Sequence, residues 1–147
     1  MTMLQERLVE ATEDQVLASG PEEISIEKAR ELVQFFAEVS TSLDAERFLE
    51  GFTDDCIVRY GTFPEMRGKE KFRPFVDAMM SAKMKNFFCR KELRTINGNV
   101  LGVQWENDWV DADSGKRKTG RGLEFWILRG ERIARWDAVF TMADAKS

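Results

Sequence analysis

The chain has 147 residues, 43% hydrophobic and 33% charged, enough for one globular domain with a genuine core. A net charge of −4 and a pI near 5.1 argue against sequence-independent nucleic-acid binding, and no apolar run approaches the roughly 20 residues of a membrane-spanning helix. Histidine is absent, which removes His-based triads, His-ligated metal sites and the usual proton shuttle and leaves acid–base chemistry to Asp, Glu, Tyr, Lys or Cys.

The N-terminal stretch MTMLQERLVEATEDQ is acidic and lacks a signal-peptide core, so a cytoplasmic protein is expected. Leu4, Leu8, Val9, Val16 and Leu17 give residues 3–18 an amphipathic helical pattern that Gly20-Pro21 stops. The chain therefore divides into a helical appendage, 1–22, and a domain, 23–147. A helix follows over Ile26–Val39, with Ser25 as N-cap and a stripe of Ala29, Leu32, Val33, Phe36 and Ala37. A short helix at Asp44–Gly51 turns Phe48 and Leu49 inward. Thr53-Asp54-Asp55 reads as a turn into a strand, Cys56–Tyr60, and Gly61–Gly68 as a loop. A third helix covers Lys69–Lys83, where the stripe of Phe72, Phe75, Val76, Met79 and Met80 reads as core. Cys56 and Cys89, far apart and without CxxC spacing, read as buried free thiols of a reducing compartment.

From Asn86 onward the period changes to that of strands. Phe87–Ile96 leads through Asn97-Gly98, a hairpin signal, into Val100–Ala112. Asp113-Ser114-Gly115 turns into Arg117–Leu128, and Arg129-Gly130-Glu131 into Arg132–Met142. The basic run Lys116-Arg117-Lys118 sits at the hairpin tip and reads as solvated. Helices followed by an antiparallel meander, with one early strand to add, predict an α+β fold: a cone-shaped α+β barrel in which helices pack in a curved mixed or antiparallel sheet and leave a cavity.

Alternation along the strands then proposes a site. Val58 and Tyr60 share a face with Trp105, Asn107 and Trp109, with Glu124, Trp126 and Leu128, and with Trp136, Ala138 and Phe140. All four tryptophans fall in this set. An aromatic hollow with a few polar groups is the usual form of a small-molecule site. Glu124 is the telling residue, because a carboxylate sharing a face with Trp126 is costly unless it is paired or neutralised. Arg59, Arg121 and Arg135 are its candidate partners. The opposite, convex face carries Leu123, Phe125, Ile127, Ile133 and Val139, too apolar for open solvent. Homodimerisation through that face is expected, with Glu106, Asp108, Arg121, Arg135 and Asp137 setting register.

Three segments, SLDAERFLEGFTDDCIVRYG, FPEMRGKEKFRPFV and GLEFWILRGERIARWDAVF, together with this layout, resemble the nuclear transport factor 2-like superfamily and its SnoaL-like members from about Ile26 to Phe140. The resemblance implies a cone-shaped domain with catalytic groups on the concave face and the first domain helix. Matched to the ketosteroid isomerases, Tyr60 stands where the general base is, Phe36 where the oxyanion-hole tyrosine is, and Glu124 where a protonated Asp is. Matched to the limonene-epoxide-hydrolase type, the Arg and two Asp positions hold Trp105, Asn107 and Ala138. Dehydratases of the scytalone type depend on histidines, absent here. The acid–base Asp of SnoaL-type cyclases has its tempting match in Asp137, which alternation turns away from the cavity.

These readings give two hypotheses. The first is a small-molecule enzyme of acid–base type, an isomerase, dehydratase or cyclase, on a hydrophobic, aromatic or polyketide-like substrate. Glu124, Tyr60 and Asn107 are its catalytic candidates, and Phe36, Val58, Trp105, Trp109, Trp126, Trp136 and Phe140 the substrate-binding ones. It needs no metal and no redox cofactor, and neither nucleic acid nor membrane as partner. The second is a non-catalytic ligand-binding or dimeric assembly module of the same fold, including a version in which the tryptophans fill the cavity.

Overall fold

The computed structural model of the chain describes residues 23–81 and 83–146; the expected appendage over 1–22 lies outside them. Three helices and six strands are present among the described residues: α1 Ile26–Thr41, α2 Ala45–Glu50, β1 Phe52–Tyr60, β2 Met66–Arg67, α3 Lys69–Met79, β3 Met84–Asn97, β4 Val100–Asp111, β5 Arg117–Arg129 and β6 Arg132–Asp144. One mixed sheet has the order β2-β1-β6-β5-β4-β3. Strands β3 to β6 form the expected antiparallel meander, and β1 joins it parallel to β6. The sheet is curved and does not close.

Local chemistry sets the boundaries. Ser25 caps α1 by accepting from the Lys28 N–H, and Asp44 caps α2 by accepting from the Arg47 N–H. The hairpin glycines Gly98 and Gly130 adopt φ of +60° and +63°, which glycine takes without steric cost. Several elements differ from expectation. Strand β1 starts at Phe52, because Thr53 to Asp55 are extended rather than turned, and the Gly61–Gly68 loop contains the short strand β2. Helix α3 stops at Met79, so Lys83 lies in a turn.

The helices pack inside the curve. Phe36 is the hub, with ring centroids 4.9 Å from Trp126, 5.4 Å from Phe48 and 5.5 Å from Phe52. This packing requires Gly51, where a Cβ would lie 2.3 Å from the Phe36 ring. A pair of hydrogen bonds ties α1 to β3: the Thr41 hydroxyl donates to the Cys89 carbonyl at 3.1 Å and accepts from its N–H at 3.0 Å. Cys56 and Cys89 are free and buried.

On the outer face Leu123, Phe125 and Val139 are 55%, 59% and 63% exposed, an uncovered apolar stripe. Ile133 is not part of it. The ladder steps from Ile127 opposite Arg135 to Leu128 opposite Ile133, so Ala134 is an extra residue, a bulge that inverts the alternation and buries Ile133 in the core.

Candidate active site

The concave face of the sheet carries the predicted row of side chains, and height along the strands sorts it. Near the β5–β6 hairpin, Val58, Trp126, Leu128 and Ala138 lie under the helices as core. Higher up, the helices no longer cover the sheet, and a cavity of about 80 Å3 opens beside Glu124. Its buried walls are Ser40, Phe48, Tyr60, Cys89, Trp105, Glu124 and Trp136, and its partly exposed rim includes Met79, Met80, Met84, Phe87, Asn107 and Trp109.

Five of the expected groups beside Glu124 therefore meet on the cavity wall: Tyr60, Asn107, Trp105, Trp109 and Trp136. Phe36, Val58 and Trp126 do not reach it, because α1 packs directly over that end of the sheet. Phe140 stands behind the wall, with its ring 4.5 Å from Tyr60 and 6.0 Å from Trp105. Trp105 lies flat across Gly122, its partner on β5, where a Cβ would come within 2.5 Å of the indole. Glycine at 122 is what lets the indole form this wall.

Glu124 is neither unpaired nor bound to an arginine. Its Oε1 accepts from Lys91 Nζ at 2.7 Å and from Trp126 Nε1 at 3.0 Å, and its Oε2 from Trp136 Nε1 at 2.8 Å. The two side chains of the ion pair are 6% and 0% exposed. The three candidate arginines cannot take this place. Arg121 and Arg135 project to the other face, where Arg135 approaches Glu65 at 3.9 Å, and Arg59 is exposed. Thus Trp126 and Trp136 act on Glu124 as hydrogen-bond donors, besides excluding water.

Lys91 is the residue that sequence reasoning missed. It sits on β3 opposite Trp105, with its ammonium 5.8 Å from the centroid of the Trp105 ring and 5.9 Å from that of Trp126. The signal was present: Phe87, Cys89, Lys91 and Leu93 alternate along one face, three apolar residues and a single charge.

Tyr60 is pushed well above its ordinary 10.0 by burial and by the nearby charge of Glu124, so it is a neutral hydrogen-bond donor. Burial likewise raises the Cys89 thiol. Two buried polar atoms of the wall, Trp105 Nε1 and Asn107 Oδ1, have no hydrogen-bond partner among the described residues. No group of three or more Cys, Asp or Glu side chains is placed to hold a metal ion, again among the described residues. Nor is any described helix long and apolar enough to cross a membrane.

Residues 32–136 match the model of the SnoaL-like domain family. The chain belongs to that family. Among curated proteins none matches. Among solved structures the SnoaL-like fold is similar to that of a protein from Jannaschia sp. CCS1 assigned as a SnoaL-like polyketide cyclase. Identity is 13% and the TM-score 0.66, over 81% of this chain and 90% of that one. A protein from Xanthomonas campestris pv. campestris, assigned as a polyketide cyclase, is 22% identical with a TM-score of 0.62, over 78% and 91%. A hypothetical protein with a ketosteroid isomerase-like fold from Catenulispora acidiphila DSM 44928, solved in complex with trimethylamine, is 16% identical with a TM-score of 0.64, over 74% and 83%. At these identities the likeness is one of fold.

Proposed function

We propose that this SnoaL-like chain is a cofactor-independent enzyme of acid–base type, an isomerase, dehydratase or cyclase, acting on an apolar, flat carbonyl compound. The observation that carries this reading is the Lys91–Glu124 ion pair buried at the base of an aromatic-walled cavity. A buried ion pair is often no more stable than apolar residues of the same volume, and stability alone is a poor reason for one. Charged groups in a cleft are the ordinary equipment of catalysis. Among the described residues Glu124 is the carboxylate on the wall, and it is the group to take up and return a substrate proton. Lys91, Tyr60 and the amide N–H of Asn107 are the donors for the oxygen on which negative charge develops, and such donors lower the cost of an enolate. The assignments of two of the similar structures as polyketide cyclases fit the same chemistry.

The uncovered stripe of Leu123, Phe125 and Val139 supports a homodimer through the outer face of the sheet. Two buried free thiols are in keeping with a reducing, cytoplasmic setting.

The test needs no knowledge of the natural substrate. Exchange of the α-protons of small aryl ketones such as phenylacetone or 2-indanone is followed in deuterium oxide by proton NMR. The protein is expected to accelerate exchange, and Glu124→Gln to reduce the acceleration about a hundredfold or more, the usual worth of a positioned base. Exchange unchanged in Glu124→Gln, or no acceleration by the native protein, would count against the reading.

A further inference from the structure

Among the described residues, two on the cavity wall carry charge, and they are not equally satisfied. Glu124 accepts three hydrogen bonds, which occupy both of its oxygens. Lys91 donates one, to that carboxylate, so two of its three N–H groups have no acceptor among the described residues. Trp105 Nε1 has no acceptor among them either. Among the described residues, the buried wall acceptor left unpaired is Asn107 Oδ1, and the wall hydroxyls can donate as well as accept. Donors are in excess.

The place of the ammonium matters as much as the count. A carboxylate framed by indole rings is what an amine ligand would seek, through ion pairing and cation–π attraction. Here Lys91 already stands in that position, 2.7 Å from Glu124 and just under 6 Å from the centroids of two indole rings. The chain fills its own cation site. A second ammonium would meet a like charge with its counter-ion already taken, an unfavourable juxtaposition. An oxygen acceptor would meet unpaired N–H groups.

We propose that Lys91 makes this cavity selective for ligands whose polar head is an oxygen acceptor, a carboxylate or an enolisable carbonyl on a flat apolar body, and that it excludes amines of the same shape. This rests on the reading of the cavity as a small-molecule site and names the class of molecule it takes. The partly exposed Met79, Met80 and Met84 and the exposed Met142 at the rim suit a varied apolar body, since thioether side chains repack readily.

The experiment is a binding comparison that does not depend on turnover. Benzoate and benzylammonium, similar in shape and opposite in charge, are titrated into the full chain by calorimetry and tryptophan emission. Benzoate is expected to bind at least about tenfold more tightly. In Lys91→Met the order is expected to reverse, because Glu124 and the indoles then form an open ammonium site. In Lys91→Met/Glu124→Gln, which carries no charge on the cavity wall and serves if the single variant does not fold, the preference is expected to vanish. Benzylammonium binding the native chain as well as benzoate does, a preference unchanged by both variants, or no saturable binding of either probe at millimolar concentration would overturn the proposal. Failure of the acid–base reading would instead appear as proton exchange insensitive to Glu124, with the charge preference intact.

Discussion

Removing one member of the buried ion pair should cost far more than removing both. In Lys91→Met the carboxylate keeps its two indole donors but loses its counter-ion within a site where it is wholly buried. In Glu124→Gln the ammonium faces a neutral amide oxygen. Breaking a buried pair by deleting one partner costs about 3–5 kcal/mol, so each single variant should lose about 4 kcal/mol. At roughly 3 °C per kcal/mol for a chain of this size, that is a fall in Tm of about 12 °C. The double variant Lys91→Met/Glu124→Gln leaves no charge. The methionine fills much of the lysine stem's space, and the glutamine oxygen still accepts from an indole, so about 1–3 kcal/mol is lost, mainly for the N–H left without an acceptor. The single effects then sum to about 8 kcal/mol against about 2 for the double. That coupling lies in the range measured for close charge pairs. Urea unfolding at neutral pH, followed by tryptophan emission and by far-ultraviolet circular dichroism, measures all four corners of the cycle. A double variant as destabilised as the sum of the singles, or singles that lose less than about 1 kcal/mol, would refute the idea of a desolvated and mutually dependent pair.

Tyr60 is the sole tyrosine, so the ultraviolet tyrosinate band reads it alone. The unfolded phenol ionises near 10.0, whereas the folded one holds its proton to higher pH, so the unfolded state releases its proton first and folding loses stability as pH rises above about 10. Tyrosinate is expected to appear only in step with alkaline unfolding, and Tyr60→Phe to flatten the decline; a band rising near pH 10 in folded protein would contradict this. On the outer face, Phe125→Lys places a charge in the uncovered stripe and is expected to shift the mass in sedimentation from dimer to monomer without loss of secondary structure. A native chain already monomeric at micromolar concentration would end that proposal.

Alternation along β4, β5 and β6 made the concave face readable, because a period of two assigns every side chain to a side. It does not assign height. Trp126 and Trp136 stand opposite each other on neighbouring strands, yet one is sealed under α1 and the other lines the cavity. That difference comes from where the helix stops covering the sheet, which no single strand records. Ile133 was misplaced for a related reason: the bulge at Ala134 inverts the period, and nothing in the residues Ile133-Ala134-Arg135 marks it. The partner of Glu124 was sought among arginines, whereas the pairing depends on β3 lying two strands away with Lys91 turned inward. The hairpin glycines and the stripe of α1 carry local signals and were legible, whereas the stripe of α3, read as core, ends in Met79 and Met80 at the cavity rim.

The parallel pairing of β1 with β6 has a consequence for how the molecule comes into being. The hairpins β3–β4, β4–β5 and β5–β6 join neighbours in the chain and can zip early. Closing β1 onto β6 must wait, because synthesis proceeds from β1 and the last strand is the one it needs. Trp136, which completes the cradle of Glu124, is on that last strand. A growing chain on the ribosome therefore carries its acidic residue before it has the means to shelter it, and the pocket cannot be completed until β6 has been made.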